Sequence, residues 1–203
     1  PSFSARAEAV NFSTDELGEI VAYAHSLTPR RRVFVTVNTV VQQVEMAELV
    51  DLLALADDAE VDAVIVQDLG VARLVREHFP SLRLHASTQM AIHNLEGARA
   101  AAALGFARVT LARELTLEEV AAITAGGGVE TEVFVHGALC YSYSGLCLFS
   151  SLTKGRSGNR GRCTYPCRDF CHVPPPMKDG FPFSMKDLAL GEYAARLGEA
   201  GVA

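Results

Sequence analysis

The stretch VDAVIVQDLGVARLVREHFPSLRLHASTQM, residues 61–90, decides the fold because it holds one complete strand–helix–strand unit. Residues 63–68 and 82–88 are apolar runs of strand length. Between them, residues 69–78 place apolar side chains at the three- and four-residue spacing of an amphipathic helix. Strict alternation of strands and helices favours a parallel sheet with right-handed crossovers. The unit therefore predicts an α/β fold.

The same alternation runs through the first 139 residues. Three further strands are predicted, at residues 33–38, 108–113 and 132–136. Further helices are predicted at residues 14–25, 45–56, 94–104, 117–124 and 188–199. Two of these helix starts carry the spacing of a capping box, Ser13 with Glu16 and Thr116 with Glu119. We therefore expect five strands joined by crossover helices.

Polar residues end each predicted strand, and this favours a barrel over a doubly wound sheet. These residues are Asn38 and Thr39, Gln67 and Asp68, Ser87 to Gln89, Arg113 and Glu114, and His136. Barrel enzymes carry their chemistry at the carboxyl ends of the strands, and a complete barrel has eight strands in about 250 residues. We predict a partial (βα) TIM-type barrel, a fragment that lacks the first and last strands. Residues 1–139 form its repeats and residues 176–203 its continuation.

Composition describes a single globular domain. The chain has 203 residues, 49% of them hydrophobic, and a net charge of −6 with a pI near 5.5. This charge argues against a surface that coats nucleic acid generally, although a local basic patch could bind RNA. No apolar stretch approaches the roughly 20 residues of a membrane span, and no secretory leader opens the sequence. We therefore expect a cytoplasmic protein.

Five cysteines lie between residues 140 and 171, and none precedes them: Cys140, Cys147, Cys163, Cys167 and Cys171. An odd, localised set indicates a metal or cluster site more than a disulfide framework. Four thiolates match a 4Fe-4S cluster, one for each iron. Six residues separate Cys140 from Cys147, which is wide for a zinc-ribbon pair. Zinc and buried free cysteines remain the alternatives.

Two blocks around these cysteines resemble peptidase family U32: EVFVHGALCYSYSGLCLFSS at residues 132–151 and NRGRCTYPCR at residues 159–168. Support comes from PSFSAR, VTVNT, VIVQDLG, LHASTQM and LARELT, which begin at residues 1, 35, 64, 84 and 111. The resemblance covers nearly the whole chain. Two positions depart from it: Phe149 replaces a smaller aliphatic residue, and Cys171 matches no family position.

The resemblance implies a 4Fe-4S cluster on Cys140, Cys147, Cys163 and Cys167, with the fourth ligand open between Cys167, Cys171 and a residue elsewhere. Members of the family include enzymes that hydroxylate tRNA, rRNA or ubiquinone precursors without oxygen, and others are named as collagenases. We call residues 140–175 the cysteine segment, which is expected to bind the cluster. Within it, residues 154–168 form a glycine-containing basic loop.

The basic loop is predicted to hold tRNA or rRNA phosphates through Lys154, Arg156, Arg160, Arg162 and Arg168. Its charge could instead offset the anionic thiolates. His136, Arg113 and Glu114 are the catalytic candidates, and Asp68, His85 and Gln89 are the substrate-binding candidates, because they follow or end predicted strands. For each, a structural hydrogen bond is the alternative. His85 and Ser87 have no placed acid partner, and HEXXH is absent, so known protease motifs are not indicated.

Three functions follow from the sequence. The first is a 4Fe-4S enzyme for oxygen-independent hydroxylation of an RNA base or a small aromatic such as a quinone precursor, served by a redox partner that no motif identifies. The second is a collagenase-like peptidase. The third is a non-catalytic RNA-binding module with a structural metal site.

Overall fold

Five short parallel strands form the main sheet, in the order in which they occur along the chain. This computed structural model describes residues 3–174, 176 and 178–203. The strands are β1 (Phe34–Val37), β2 (Ala63–Val66), β3 (Arg83–Ala86), β4 (Phe106–Thr110) and β5 (Glu130–Glu132). Each pairs with the strand before it. The predicted α/β class and parallel sheet are confirmed.

Helices connect the strands and continue beyond them: α1 (Thr14–Ser26), α2 (Met46–Asp58), α3 (Leu69–His78), α4 (Leu95–Ala103), α5 (Leu117–Gly126), α6 (Phe149–Lys154) and α7 (Ala194–Glu199). Both predicted capping boxes form at the starts of α1 and α5. Within the described residues, no helix combines the length and apolar character needed to cross a bilayer.

The two faces of the sheet differ in chemistry. Val37, Val64 and Val66 are fully buried in an apolar core that includes Leu49 and Leu53 of α2. The opposite face carries a polar row, in which the register aligns Thr36, Ile65, His85, Arg108 and Glu130. One face therefore holds the fold together, and the other places buried polar groups inside the molecule.

Arg108 organises the polar face. Its side chain is only 8% exposed, and it donates to Glu130 at 3.1 and 2.9 Å and to Glu132 at 3.2 Å. The guanidinium also lies 5.6 Å from the centre of the Phe34 ring, against whose face the His85 ring packs edge-on at 4.8 Å. A buried arginine needs such partners, because an unpaired buried charge is very costly.

Some predicted boundaries were wrong. The strand predicted at 82–88 ends at Ala86, because residues 88–90 form a 3-10 turn. The strand predicted at 132–136 lies at Glu130–Glu132. Only the second half of the helix predicted at 188–199 is helical: β7 (Leu188–Ala189) pairs antiparallel with β6 (His136–Gly137), and α7 follows a turn.

Other predictions about the fold stay open. The five-stranded sheet is consistent with the predicted α/β class, and the partial barrel remains a prediction. The predicted boundary of the cysteine segment at residue 175 lies outside the described residues, as do the first two residues of the PSFSAR motif.

Candidate functional site

The cysteine segment lies over the carboxyl ends of the sheet strands. Ser144, fully buried between Cys140 and Cys147, donates its backbone N–H and its hydroxyl to the two carboxylate oxygens of Glu114, both at 2.8 Å. Burial opposes ionisation of Glu114, but these two bonds outweigh it and lower the pKa of Glu114 below its usual value. Glu114, which follows β4, therefore anchors the segment to the sheet.

A second contact places the same stretch over β3. Gly145 lies so close to Gln89 that a methyl group on it would sit 3.6 Å from Cγ and 3.7 Å from Nε2 of Gln89. Its backbone φ of +86° also suits glycine. The residues between Cys140 and Cys147 thus cover the ends of two strands that carry candidate substrate-binding residues.

The first described residues form a layer between β1 and the basic loop. Ala5 donates its N–H to Asn38 Oδ1 at 2.8 Å, and Thr36 donates its hydroxyl to Ser4 at 3.1 Å. Gly161 of the basic loop, at φ +76°, packs against the Ser4 carbonyl and Ala7. The cysteine segment therefore contacts both the sheet and the N-terminal residues.

All five cysteines are free and partly buried, and two observations relate four of them to one another. Burial raises the pKa of the Cys167 thiol, and the charges of Cys140 and Cys163 nearby raise it further. Gly158 bridges the others, since a methyl group there would lie 3.7 Å from Cys163 Sγ and 3.9 Å from the Cys147 carbonyl. These relations concern the four cysteines predicted as ligands, and their role as a ligand set stays a prediction.

Cys171 makes other contacts. Its backbone exchanges two hydrogen bonds with Gly180, at 2.7 and 3.1 Å, and its thiol contacts the carbonyl of Asp169 at 3.6 Å. This pairing uses Cys171 to close the loop that follows the basic loop.

Backbone donors reach two of the four sulfurs. Phe149 donates its N–H to Cys147 Sγ and Tyr165 donates its N–H to Cys163 Sγ, each at 3.3 Å. Hydrogen bonds of this kind stabilise charged sulfur ligands and tune iron–sulfur clusters. The donor set therefore fits a 4Fe-4S cluster, in which each thiolate binds a different iron. Zinc remains the alternative occupant of the same thiolates.

Three of the five cations predicted to bind RNA are engaged by the fold. Arg160 pairs with Glu45, and this bond, together with the Gln42 N–H, lowers the pKa of Glu45 to about 2. Arg156 pairs with Glu8. Arg168 donates to the carbonyls of Met185 at 2.6 Å and Leu139 at 3.2 Å.

Lys154 and Arg162 differ from these three. Both are exposed, and neither forms an ion pair with any residue that the structure describes. They are the cations of the basic loop that remain available for an external anion.

The three predicted catalytic residues each interact with a different partner. Arg113 places its guanidinium 5.8 Å from the Phe134 ring centre, Glu114 is bonded to Ser144, and His136 is exposed on β6. No hydrogen bond or ion pair joins them within the described part of the chain. Their contacts are those of structural residues, and a catalytic role for them stays a prediction.

The substrate-binding candidates differ in whether the fold already uses their polar atoms. Asp68 caps α3, accepting from the N–H groups of Gly70 at 2.7 Å and Val71 at 3.2 Å, which is a structural role. His85 is 1% exposed. Its burial, and next the nearby positive charge of Arg108, lower its pKa to about 4, so the ring is neutral near pH 7. Ser87 accepts from the Gln89 N–H and is not bonded to His85, so a Ser–His pair is not formed.

Two neighbouring residues were missed as site residues. Gln67 and Thr88, like His85 and Gln89, hold buried polar atoms without a hydrogen-bond partner in the described structure. Their position directly after a strand is the signal that could have identified them, because strand ends in parallel sheets meet at one edge.

Comparison with known proteins places this geometry in a family. The sequence pattern of "Peptidase family U32" matches residues 1–203. A 23S rRNA 5-hydroxycytidine synthase of Escherichia coli is 40% identical over 179 residues, which are 88% of this chain and 26% of that protein. The tRNA hydroxylation protein P of Haemophilus influenzae is 36% identical over 208 residues, 96% of this chain and 45% of that protein.

Two further matches are less similar in sequence to this chain. A collagenase of Porphyromonas gingivalis is 30% identical over 212 residues, 96% of this chain and 50% of that protein. A solved structure of the U32 peptidase Mk0906 has a TM-score of 0.55 at 24% identity, covering 68% of this chain and 58% of that one, and supports the fold. The chain spans half or less of the length of these three curated relatives.

Proposed function

The chain belongs to peptidase family U32, and we propose that it is the cluster-binding part of a 4Fe-4S enzyme that hydroxylates an RNA base without oxygen. The observation that supports this proposal is the pair of backbone N–H donors at 3.3 Å from the sulfurs of Cys147 and Cys163, in the segment that lies over the strand ends. The family membership agrees with the resemblance seen in the sequence.

In this proposal, Cys140, Cys147, Cys163 and Cys167 hold the cluster. A 4Fe-4S cluster held by four thiolates would supply electron transfer. The protein positions it: Glu114 fixes the loop through Ser144, while Arg160 and Arg156 tie the basic loop to Glu45 and Glu8. These contacts hold the thiolates against the strand ends, where a substrate can be oriented.

RNA is the favoured substrate class. Two relatives are named for hydroxylation of rRNA and tRNA, which supports an RNA base over a quinone precursor. Two exposed tyrosines flank the cysteines. Tyr141 follows Cys140 and is 51% exposed, and Tyr165 lies midway between Cys163 and Cys167 and is 57% exposed. Exposed aromatic rings stack unpaired bases, and Lys154 and Arg162 supply charge for the phosphates.

The sheet fits an arc of a barrel. Its strands follow one another in strict sequence, as in a singly wound barrel, whereas a doubly wound sheet reverses its order at a switch point. We extend the proposal to a barrel that holds this sheet, and to a cytoplasmic protein, since RNA is its proposed substrate.

The peptidase alternative rests on the name of the family and on two relatives named as a protease and a collagenase. Against it stand the unbonded Ser87 and His85 and the separate contacts of Arg113, Glu114 and His136. The non-catalytic RNA-binding module would share the exposed cations and differ in lacking a redox-active cluster.

The test is iron and sulfide analysis of the anaerobically purified full-length protein, with a visible absorption spectrum. We expect about four irons per chain in the wild type, loss of iron in Cys163→Ala, and retained iron in the matched control Cys171→Ala. Hydroxylated RNA should depend on Cys163. Iron-free wild type, or peptide cleavage that survives in Cys163→Ala, would overturn the proposal.

A further inference from the structure

Buried polar atoms without partners are concentrated at one place in the molecule. Among the described residues there are five such side-chain atoms, and all belong to residues at the carboxyl ends of β2 and β3. They are Oε1 of Gln67, both ring nitrogens of His85, Oγ1 of Thr88 and Oε1 of Gln89. A buried polar atom without a partner is costly, and most such atoms in folded proteins are bonded. Five at one edge of a sheet indicate that something else completes their bonding.

The sheet register brings these residues together. His85 pairs with Ile65, and Gln67 follows two residues after Ile65, immediately beyond the end of β2. The bond from Ser87 N–H to the Val66 carbonyl, at 2.8 Å, keeps the two strand ends side by side. His85 and Thr88 are 1% and 7% exposed, whereas Gln67 and Gln89 are partly exposed. A ligand would therefore reach the set from the side of the two glutamines.

The four side chains are neutral, and this limits the ligand. Each can offer both a donor and an acceptor. The nearest buried cation, Arg108, already uses its donors on Glu130 and Glu132. A planar neutral group with adjacent donors and acceptors would satisfy the set. The Watson–Crick edge of a base has this chemistry.

We propose that Gln67, His85, Thr88 and Gln89 bind the Watson–Crick edge of one unstacked RNA base. Gly145 packs on Gln89, so the base lies beneath the stretch between Cys140 and Cys147. This inference rests on the proposed function, because it assigns the base-binding site of the same RNA substrate. Unstacking is required, since a paired base hides this edge.

The experiment measures binding to the anaerobically purified full-length protein. The probes are a single-stranded oligocytidine decamer and an abasic decamer with the same phosphates, compared by fluorescence anisotropy. Wild type should bind oligocytidine at least about tenfold more tightly, because the abasic strand loses both base stacking and the hydrogen bonds to a base. Thr88→Val, Gln67→Met and Gln89→Met should each reduce this ratio at least about threefold. The matched control Gln43→Met changes an exposed glutamine and should keep the ratio.

Thermal unfolding separates a ligand site from a structural one. Removing unpartnered polar atoms should leave Tm unchanged or raise it in the three variants. Lower Tm values with an unchanged binding ratio would show that ordered water completes these bonds, and would overturn the inference. Equal affinity of wild type for both decamers would also overturn it while leaving RNA binding intact. No affinity for either decamer would overturn the proposed RNA function along with it.

Discussion

At the scale of single residues, His85 shows how the fold controls a charge. Its pKa is about 4 because the ring is buried and lies near Arg108, compared with an ordinary value of 6.5. A lowered pKa means that the unfolded chain binds the proton more readily. The stability that neutral His85 contributes is therefore complete above about pH 6.5 and is lost as the pH falls toward 4.

We expect the free energy of unfolding of the wild type to decrease between pH 6.5 and 4.5, and His85→Phe, which cannot be protonated, to lose less over the same range. Urea unfolding at the two pH values measures the difference. His78→Gln, which changes an exposed histidine, should behave like the wild type. Equal losses in His85→Phe and wild type would contradict the assignment of this effect to His85.

Two glycines of the basic loop make a second test at this scale. Gly155 and Gly161 have similar backbones, with φ of +64° and +76°. A methyl group at Gly155 meets nothing within 4 Å, whereas one at Gly161 collides with the Ser4 carbonyl and lies 2.9 Å from Ala7 N. We expect Gly155→Ala to cost about 1 kcal/mol and Gly161→Ala about 3 kcal/mol or more. Urea unfolding of both variants measures these losses of unfolding free energy. Similar losses in the two variants would mean that the basic loop does not pack against the N-terminal residues.

At the scale of elements, the basic loop divides into cations used by the fold and cations left free. We expect Lys154→Gln and Arg162→Gln each to weaken RNA binding and to reduce the slope of log affinity against log salt by about 0.7, the value for one phosphate of a single strand. Arg160→Gln should leave this slope close to wild type. Titration of a single-stranded RNA at several salt concentrations gives the slopes, and a reduced slope in Arg160→Gln would show that its pairing with Glu45 yields to RNA.

The elements also show which features a sequence can and cannot reveal. Helix α3 was predicted with its observed bounds, because apolar spacing and local caps determine it. Strand ends were placed too late: Asp68 and Thr88 extend apolar runs, but the first caps a helix and the second enters a 3-10 turn. The local clustering of the cysteines is visible in the sequence, and their role as ligands stays a prediction. The partner of Arg160 lies 115 residues earlier, and no local pattern encodes such a contact.

At the scale of the whole molecule, the two halves of the site are held by different forces. The sheet rests on a core of fully buried apolar side chains such as Val37, Leu53 and Val64. In the cysteine segment, as far as it is described, the buried positions are Ser144, Ser150, Gly161 and Pro166. Loop contacts and ion pairs, rather than an apolar core, therefore hold the cysteine segment in place. The proposed cluster would contribute much of its structural order.

This difference predicts the response to iron removal. We expect chelation of iron to leave the thermal unfolding of the sheet close to that of the holoprotein, while amide hydrogen exchange speeds up across residues 140–171. Exchange measured by mass spectrometry on peptides from the sheet and from the cysteine segment makes the comparison. Unchanged exchange in the cysteine segment would show that it is ordered without metal.

The contact between Arg160 and Glu45 also has a consequence for biogenesis. It closes a loop of 115 residues, and contacts so distant in sequence form late, because the chain between them must first be compacted. We therefore expect the cysteine segment to dock only after the strands have paired. In the proposed cluster protein, iron and sulfide would reach a folded sheet with an open cysteine loop, and loading would be the last step of maturation.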